Sequence, residues 1–324
     1  MTNHEIILLK DKLKAEIIET HISWILLAED KAYKIKKPVK NSFLDFSTLA
    51  LRKFYCEEEF RLNKELAPEI YEAVVPLSKT DKVIEIGDIK GNAIEYALQM
   101  KRMDERRQLF ILLKKNQVRK DELIEFAGSI ADFHKRQDPL PYEKLVSERI
   151  KEFDDILNYT DLFRNSYGEK ALENLINCTK IAVIYVRHNE ELFSERLLNG
   201  FVRDLHGDLH SQNIFLLDRP VLFDRIEFNR SFRITDVLHE LAFLCLDFDF
   251  FNRRNQAEFL LNTYSELMNW EIGKTELSLF LYYKSYCANV RAKVNVLVNK
   301  SDPEIASRYL NLMFDYVRNL PYLS

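Results

Sequence analysis

Glycine is scarce in this chain, with 7 residues in 324. Neither G-x-G-x-x-G nor G-x-x-x-x-G-K-[ST] occurs, so no glycine-rich loop is present to cradle phosphate through backbone N–H groups. A nucleotide site here has to be built from side chains and ordinary turns. The four cysteines, Cys56, Cys178, Cys245 and Cys287, lie far apart and form no C-x-x-C pair. They read as reduced, buried thiols of a cytoplasmic protein. Apolar runs such as Ile22 to Ala28 are far too short to span a bilayer. The N-terminus, with Asp11, Glu16 and Glu19, has no secretion-signal character. A net charge of −4 gives no one-sided excess that would point to nucleic acid or an anionic membrane as partner.

What is present is an ordinary globular mixture, 47% apolar and 30% charged, long enough for one large or two modest domains with ample core. Ile17 to Leu27 is strand-like, Glu29-Asp30 turns, and Lys31 to Lys36 returns before Lys37-Pro38 breaks the strand. Ser47 or Thr48 caps a helix running to about Leu66, with apolar positions at Leu51, Phe54, Tyr55, Phe60, Leu62 and Leu66. Strands follow at Val74–Leu77, Val83–Ile86 and Ile94–Met100. Helical patterns then occupy Leu109–Leu113, Asp121–His134, Tyr142–Tyr159 and Glu169–Arg196, and resume from Asp236 to the end. Neither an internal repeat nor a low-complexity segment interrupts this order.

Chemistry concentrates in Leu205-His206-Gly207-Asp208-Leu209-His210-Ser211-Gln212-Asn213 and, eleven residues further on, Asp224. Ile214–Leu217 and Val221–Phe223 read as two short buried strands around an Asp218-Arg219-Pro220 turn. One carboxylate thus sits on a tight turn, a carboxamide starts the hairpin, and a second carboxylate leaves it. Those groups suffice to hold a magnesium nucleotide and orient an attacking hydroxyl, because phosphoryl transfer asks a protein mainly for positioning and charge neutralisation.

The segment resembles the catalytic loop and metal-binding strand of the aminoglycoside phosphotransferase-like kinases, where H-G-D-x-x-x-x-N replaces the H-R-D-x-x-x-x-N of protein kinases. His206, Gly207, Asp208, His210 and Asn213 match, as does the distance to Asp224. The resemblance implies an α+β, bilobal protein-kinase-like fold, with a small β-rich N-lobe holding one helix and a larger, mostly helical C-lobe. The boundary is expected near residues 100–107, giving 1–103 and 104–324. It implies ATP and Mg²⁺ as cofactors, Asp208 as catalytic base or hydroxyl-orienting group, and Asn213 and Asp224 as metal ligands.

The same resemblance assigns a third-strand lysine to the phosphates, paired with a glutamate of the following helix. Lys34 and Lys36 share one strand face. Lys36, next to a basic-Pro pair, is favoured, with Lys34 in reserve; of Glu57, Glu58 and Glu59, the choice is Glu59. Ser23 or Thr20 would serve the loop between the first two strands. Met100, with Lys101, falls at the expected hinge, where backbone groups would meet adenine.

Further pieces, including Tyr33-Lys34-Ile35-Lys36-Lys37-Pro38, Cys56-Glu57-Glu58-Glu59-Phe60-Arg61-Leu62-Asn63 and Asp236-Val237-Leu238-His239-Glu240-Leu241-Ala242-Phe243, resemble a bacterial subgroup of this superfamily. Its kinase-like domain is often fused to a P-loop ATPase domain. Glu240 departs from the aspartate usual before Leu-Ala and is expected to brace the catalytic loop.

The acceptor is expected to be a small molecule with a hydroxyl, beside the C-terminal helices. There Tyr283, Cys287, Val290, Val294 and Leu297 would form a buried stripe, flanked by Arg291. Arg291 suits an acceptor with carboxylate or phosphate; Glu227, Asp247 and Asp249 suit a cationic one. The sequence leaves both open. It also leaves open a nucleotide-binding pseudokinase, or a protein kinase or nucleotidyl transferase on the same scaffold. Only eleven residues separate Asp224 from Asp236, too few for a regulated activation segment.

Overall fold

A computed structural model of the protein describes residues 1–41, 43–80, 83–87, 92–141, 144–298 and 303–321. The first elements are α1 (Asn3–Leu13), β1 (Glu16–Glu19), β2 (Ser23–Leu27), β3 (Lys31–Lys36), α2 (Leu49–Leu66), β4 (Tyr71–Thr80), β5 (Val83–Ile86) and β6 (Glu95–Lys101). Helices α3 (Leu109–Lys115), α4 (Lys120–Arg136), α5 (Val146–Asp154), α6 (Thr160–Tyr167), α7 (Glu169–His188) and α8 (Glu190–Leu198) follow. Short strands β7 (Val202–Asp204), β8 (Ile214–Leu216), β9 (Pro220–Leu222) and β10 (Ile234–Asp236) precede α9 (Val237–Phe250), α10 (Arg254–Leu267), α11 (Lys274–Val298) and α12 (Pro303–Arg318). The α+β expectation is met. Tyr142, where the sequence pattern starts a helix, lies outside the described residues, and α5 begins at Val146.

The chain divides into two compact units: Met1–Gln108 with Asn213–Arg233, and Leu109–Gln212 with Ile234–Ser324. In the first, six antiparallel strands run in the order β1-β2-β3-β6-β4-β5. Trp24, Leu26, Ile35, Leu77 and Ala97 of this sheet share a core with Ile6 and Leu9 of α1. Helix α1 has no counterpart in the sequence reading. It forms because Thr2 and Glu5 make a reciprocal capping box, Glu5 N donating to Thr2 Oγ1 and Thr2 N to Glu5 Oε2.

Helix α2 starts where Thr48 Oγ1 accepts from Leu51 N, and Pro68 forbids its continuation. Its inward face differs from the apolar stripe expected. Arg52, Cys56, Glu59, Leu62 and Asn63 are buried, whereas Phe54 is 52% exposed. The reason is what the helix faces. Arg52 grips both oxygens of the buried Glu95 on β6 at 2.9–3.0 Å, and donates to the Phe46 and Ser47 carbonyls. A polar sheet face selects a polar helix face.

In the second unit, α9 is buried nearly all round, as befits a central helix. Asp236 caps it, accepting from Leu238 N, and holds Arg196 through both oxygens at 2.6 and 2.7 Å. Helix α11 packs on α9 and α12. Of its expected stripe, Tyr283 and Cys287 are buried, but Val294 and Leu297 are exposed, while Ala288, Ala292 and Val296 are buried. No helix among the described residues is long and apolar enough to cross a membrane.

Replacing Arg52 by Met should lower stability by about 3 kcal/mol, because the buried Glu95 loses its two-point guanidinium and keeps only the Met1 ammonium at 3.2 Å. Denaturant unfolding followed by circular dichroism checks this. A loss no larger than that of an exposed substitution would show that Arg52 does not tie α2 to the sheet.

Candidate active site

In the first unit, β3 and α2 bring three of the expected residues together. Glu59 is 1% exposed and divides its carboxylate between two lysines. Lys34 Nζ lies 2.8 Å from Oε1, and Lys36 Nζ lies 2.6 Å from Oε2. Each lysine then reaches a second acid. Lys34 contacts Asp224 Oδ1 at 2.5 Å, and Lys36 contacts Glu227 Oε1. Burial alone would discharge such groups, so the pairing decides their state. Burial works against the Lys34 ammonium, but Asp224 and Glu59 raise its pKa well above the ordinary lysine value. Burial likewise pushes Glu59 up, yet Lys34 and Lys36 hold it down at about 2.

Both lysines meet Glu59, but only Lys34 also meets Asp224. Lys36 is 1% exposed, closed in by Glu59, Glu227 and the Phe46 ring. Asp224, by contrast, is 36% exposed. The sequence order favours Lys36 as the outward-reaching lysine; the placement favours Lys34. Glu227, 4% exposed, has its charge committed to Lys36, which removes it as a receptor for a cationic acceptor.

Asp224 is aimed by its backbone. Its φ of +65° lies in the left-handed region, uncommon for a side-chain-bearing residue. Two contacts that sequence reasoning missed hold it there: Asp224 N donates to the Tyr71 hydroxyl at 3.0 Å, and Arg225 N to Asn63 Oδ1 at 2.8 Å. Asn63 returns its own N–H groups to the Arg225 and Glu59 carbonyls. Asn63 follows Glu59 by four residues, hence on the same face of α2, and that spacing was the available signal. Nothing in the sequence marks Tyr71. At the hairpin's base, the Asn213 carbonyl accepts from Phe223 N at 3.1 Å, which sets Asn213 beside the approach to Asp224.

The donor set fits magnesium held together with phosphate. Asn213 and Asp224 supply hard oxygen atoms, and the cluster around Glu59 carries three carboxylates against two ammonium groups. Among the described residues, no group of three or more His, Cys, Asp or Glu could hold a metal by itself. Mg²⁺ characteristically takes one or two carboxylates and completes its shell with water and substrate phosphates.

Ser23 lies across from Lys36 in the β2–β3 ladder, so the two side chains share a sheet face. It is fully buried, and its hydroxyl has no hydrogen-bond partner among the described residues. Thr20 closes the preceding turn, accepting from Ser23 N at 2.9 Å. Met100 is an interior position of β6 between β3 and β4, its side chain packed with Ala32, Ala67, Ile70 and Tyr71. The N–H of Lys101 donates to the Ile70 carbonyl.

The second unit holds the Asp208 turn. Gly207, at φ +83°, donates its N–H to Glu240 Oε1 at 2.8 Å. The other Glu240 oxygen meets His134 Nε2 at 2.8 Å, and His134 Nδ1 meets the Tyr264 hydroxyl at 2.7 Å. Ser211 donates both N–H and Oγ–H to Asp247 Oδ2. Glu240 and Asp247 thus brace either end of the loop from α9. Asp208 remains 41% exposed, with His210 Nε2 at 3.4 Å. Burial favours its neutral form, but His210, aided by His206 and Arg291, holds the carboxyl at about 2. A carboxylate that acidic is a weak base and a good orienting acceptor.

Depressed carboxylates leave a signature in stability. Glu59, with an ordinary value of 4.5 and about 2 in the fold, stabilises the native state above pH 4.5. That contribution is lost as pH falls toward 2, because the unfolded state then binds the extra proton. Unfolding free energy measured from about pH 6 to about pH 3 should fall with decreasing pH, and Glu59→Gln should reduce the slope by up to about one proton. An unchanged slope in that variant would mean Glu59 is not the linked group.

No family model matches the chain. An uncharacterized protein of Mycobacterium tuberculosis is 30% identical over 302 residues, covering 90% of this chain and 57% of that protein. The chain therefore spans little more than half the length of that relative. Among solved structures, choline kinase from Cryptosporidium parvum matches with a TM-score of 0.55 at 11% identity, over 98% of this chain and 96% of that one. Spectinomycin phosphotransferase in complex with ADP and spectinomycin matches at 0.52 and 10% identity, over 94% and 92%. At such identities the likeness shows the fold, and the fold is the protein-kinase-like one of aminoglycoside phosphotransferases and choline kinases.

Proposed function

We propose that the protein is an ATP- and Mg²⁺-dependent phosphotransferase that moves the γ-phosphoryl group to a hydroxyl of a small molecule. The observation that carries this reading is Lys34, held between the buried Glu59 and the half-exposed Asp224. That arrangement suits a lysine committed to phosphate next to a carboxylate committed to a metal. The fold shared with choline kinase and spectinomycin phosphotransferase supports it.

In this reading Asn213 and Asp224 hold Mg²⁺, which when bound screens the charge of the phosphates. Lys34 meets the phosphates, Glu59 orients Lys34, and Lys36 with Glu227 closes the far side of Glu59. Ser23 lies on the face of Lys36, and Met100 and Lys101, at the end of β6, mark the stretch for adenine. Asp208 accepts a hydrogen bond from the acceptor hydroxyl and aligns its oxygen. The acceptor oxygen bonds to the γ-phosphorus as the bond to the ADP oxygen breaks, so ATP and an alcohol become ADP, a phosphate ester and a proton.

Asp208→Asn should keep the shape of the turn and lose the charge that orients the hydroxyl. Turnover should fall by about 10²–10⁴-fold with nucleotide affinity nearly unchanged, measured as ADP release and by calorimetry. Full turnover in this variant would refute the role of Asp208.

The two lysines separate by type of damage. Lys34→Met should cost mainly kcat/KM for ATP, whereas Lys36→Met, which leaves Glu227 buried without its lysine and Glu59 with Lys34 alone, should destabilise the fold by about 3–5 kcal/mol. Unfolding midpoints and ADP release on both variants test this, and the reverse pattern would return the phosphate role to Lys36.

A further inference from the structure

The acids of the second unit that would suit a cationic acceptor each have one oxygen engaged and lie buried. Asp247 accepts from Ser211, and Asp249 from Lys284 and the Tyr316 hydroxyl. Arg291, on α11, is the opposite case. Its guanidinium is partly buried and donates to the Tyr309 hydroxyl, from Nε at 3.4 Å and Nη2 at 3.3 Å. It lies 6.0 Å from the ring centre of Phe243 and 5.4 Å from that of Tyr309. No carboxylate among the described residues forms an ion pair with it.

Removing a guanidinium from water without a counter-ion is costly. Tyr309 orients this one, and the nearest acids, Asp247 and Asp208, act on it only through space and make no direct ion pair with it. The planar fork that remains is suited to a carboxylate or phosphate, both of which it can meet with two parallel hydrogen bonds.

Its position ties it to the Asp208 turn. Asp208 Oδ2 lies 3.4 Å from His210, the His210 ring meets Phe243 edge-on at 5.9 Å, and Phe243 borders Arg291. One wall therefore runs from the carboxylate to the guanidinium within a single unit. The charge of Arg291 is also felt at Asp208, as one of the influences that keep that carboxyl acidic.

Building on the phosphotransfer reading above, we infer that the acceptor carries an anionic group, carboxylate or phosphate, close to the hydroxyl that is phosphorylated. Arg291 holds that group while Asp208 holds the hydroxyl.

The test supplies the full chain with Mg-ATP and four pools of alcohols of matched size: carboxylated, phosphorylated, neutral and ammonium-bearing. ADP release is the readout. Turnover is expected with the carboxylated or the phosphorylated pool, and which of the two responds identifies the anion. In Arg291→Ala the acceptor KM should rise by about tenfold or more while the KM for ATP stays within about twofold, since binding to one substrate alone is removed. Arg291→Lys should recover part of the loss. Turnover confined to the neutral or ammonium pool, or an acceptor KM unmoved in Arg291→Ala, overturns the inference.

If no pool is turned over, the phosphotransfer reading fails on its own, and calorimetry then judges the anion site. Malonate and inorganic phosphate are titrated into protein saturated with Mg²⁺ and a non-hydrolysable ATP analogue, which keeps them from the nucleotide's place. Binding that is lost in Arg291→Ala upholds the anion site; absent or equal binding ends it. Should Arg291→Ala lose its fold, Tyr309→Phe removes the hydroxyl that orients the guanidinium and should weaken the same binding. Unchanged binding in Tyr309→Phe, with Arg291→Lys also as wild type, would likewise refute it.

Discussion

Glu59 is a carboxylate sealed in the interior with both oxygens committed to ammonium groups. An ion in that position survives only when its partners are fixed, because a buried charge without a partner is costly. The requirement spreads outward. Lys34 and Lys36 must share a strand face, α2 must present Glu59 to that face, and each lysine must find a second acid. Arg52 and Glu95 impose the same discipline seven residues earlier on α2, about two helical turns away. The helix is thus held at two points by charge. A hydrophobic pair of similar volume would hold it equally well or better, so the choice of ions points to a task beyond stability.

The sequence disclosed the parts of this arrangement that obey fixed spacing. The alternation of Lys34 and Lys36, the turn around Gly207, the hairpin from Ile214 to Leu222 and the Thr48 cap were all readable, because each follows from a period or a turn requirement. Burial patterns were less legible. On α2 Glu59 and Leu62 turn inward as expected, yet Phe54 faces solvent while Arg52 and Asn63 are buried. The paired sheet residues reverse the usual preference there, and a single helix cannot reveal them. Helix α11 was read correctly at Tyr283 and Cys287 and misread further on, where Ala288, Ala292 and Val296 are buried and Val294 and Leu297 are exposed. Helix α1 went unread although Thr2 and Glu5 spell its capping box, since little apolar periodicity follows them.

Contacts between distant parts of the chain were the least accessible. Tyr71 holds Asp224 across 153 residues, and His134 reaches Glu240 across 106. In neither pair does local sequence name the partner. The extra methylene of Glu240 relative to aspartate bears on its geometry. Its two oxygens serve the Gly207 N–H and His134 at once, so the longer acid can bridge the turn and a buried histidine that is itself held by Tyr264.

Satisfied groups are as informative as reactive ones. In the first unit the charges of Lys36, Glu59 and Glu227 are consumed internally, and Asp224 is the member of the cluster that keeps substantial exposure. In the second, Glu240, Asp247 and Asp249 serve the protein's own donors, while Asp208 stays half-open to solvent. Burying a charge is costly unless it is paired, so an exposed charge beside engaged neighbours is a candidate for a partner outside the chain. In the proposed reading the exposed carboxylates of Asp224 and Asp208 would serve a cation and a hydroxyl, and Arg291 would serve an anion. Glu227, Asp247 and Asp249, equally eligible as letters in a sequence, each have at least one oxygen taken up by the protein's own donors. What distinguishes a binding group from a structural one of the same type is therefore the state of its partners, and that is a property of the folded molecule.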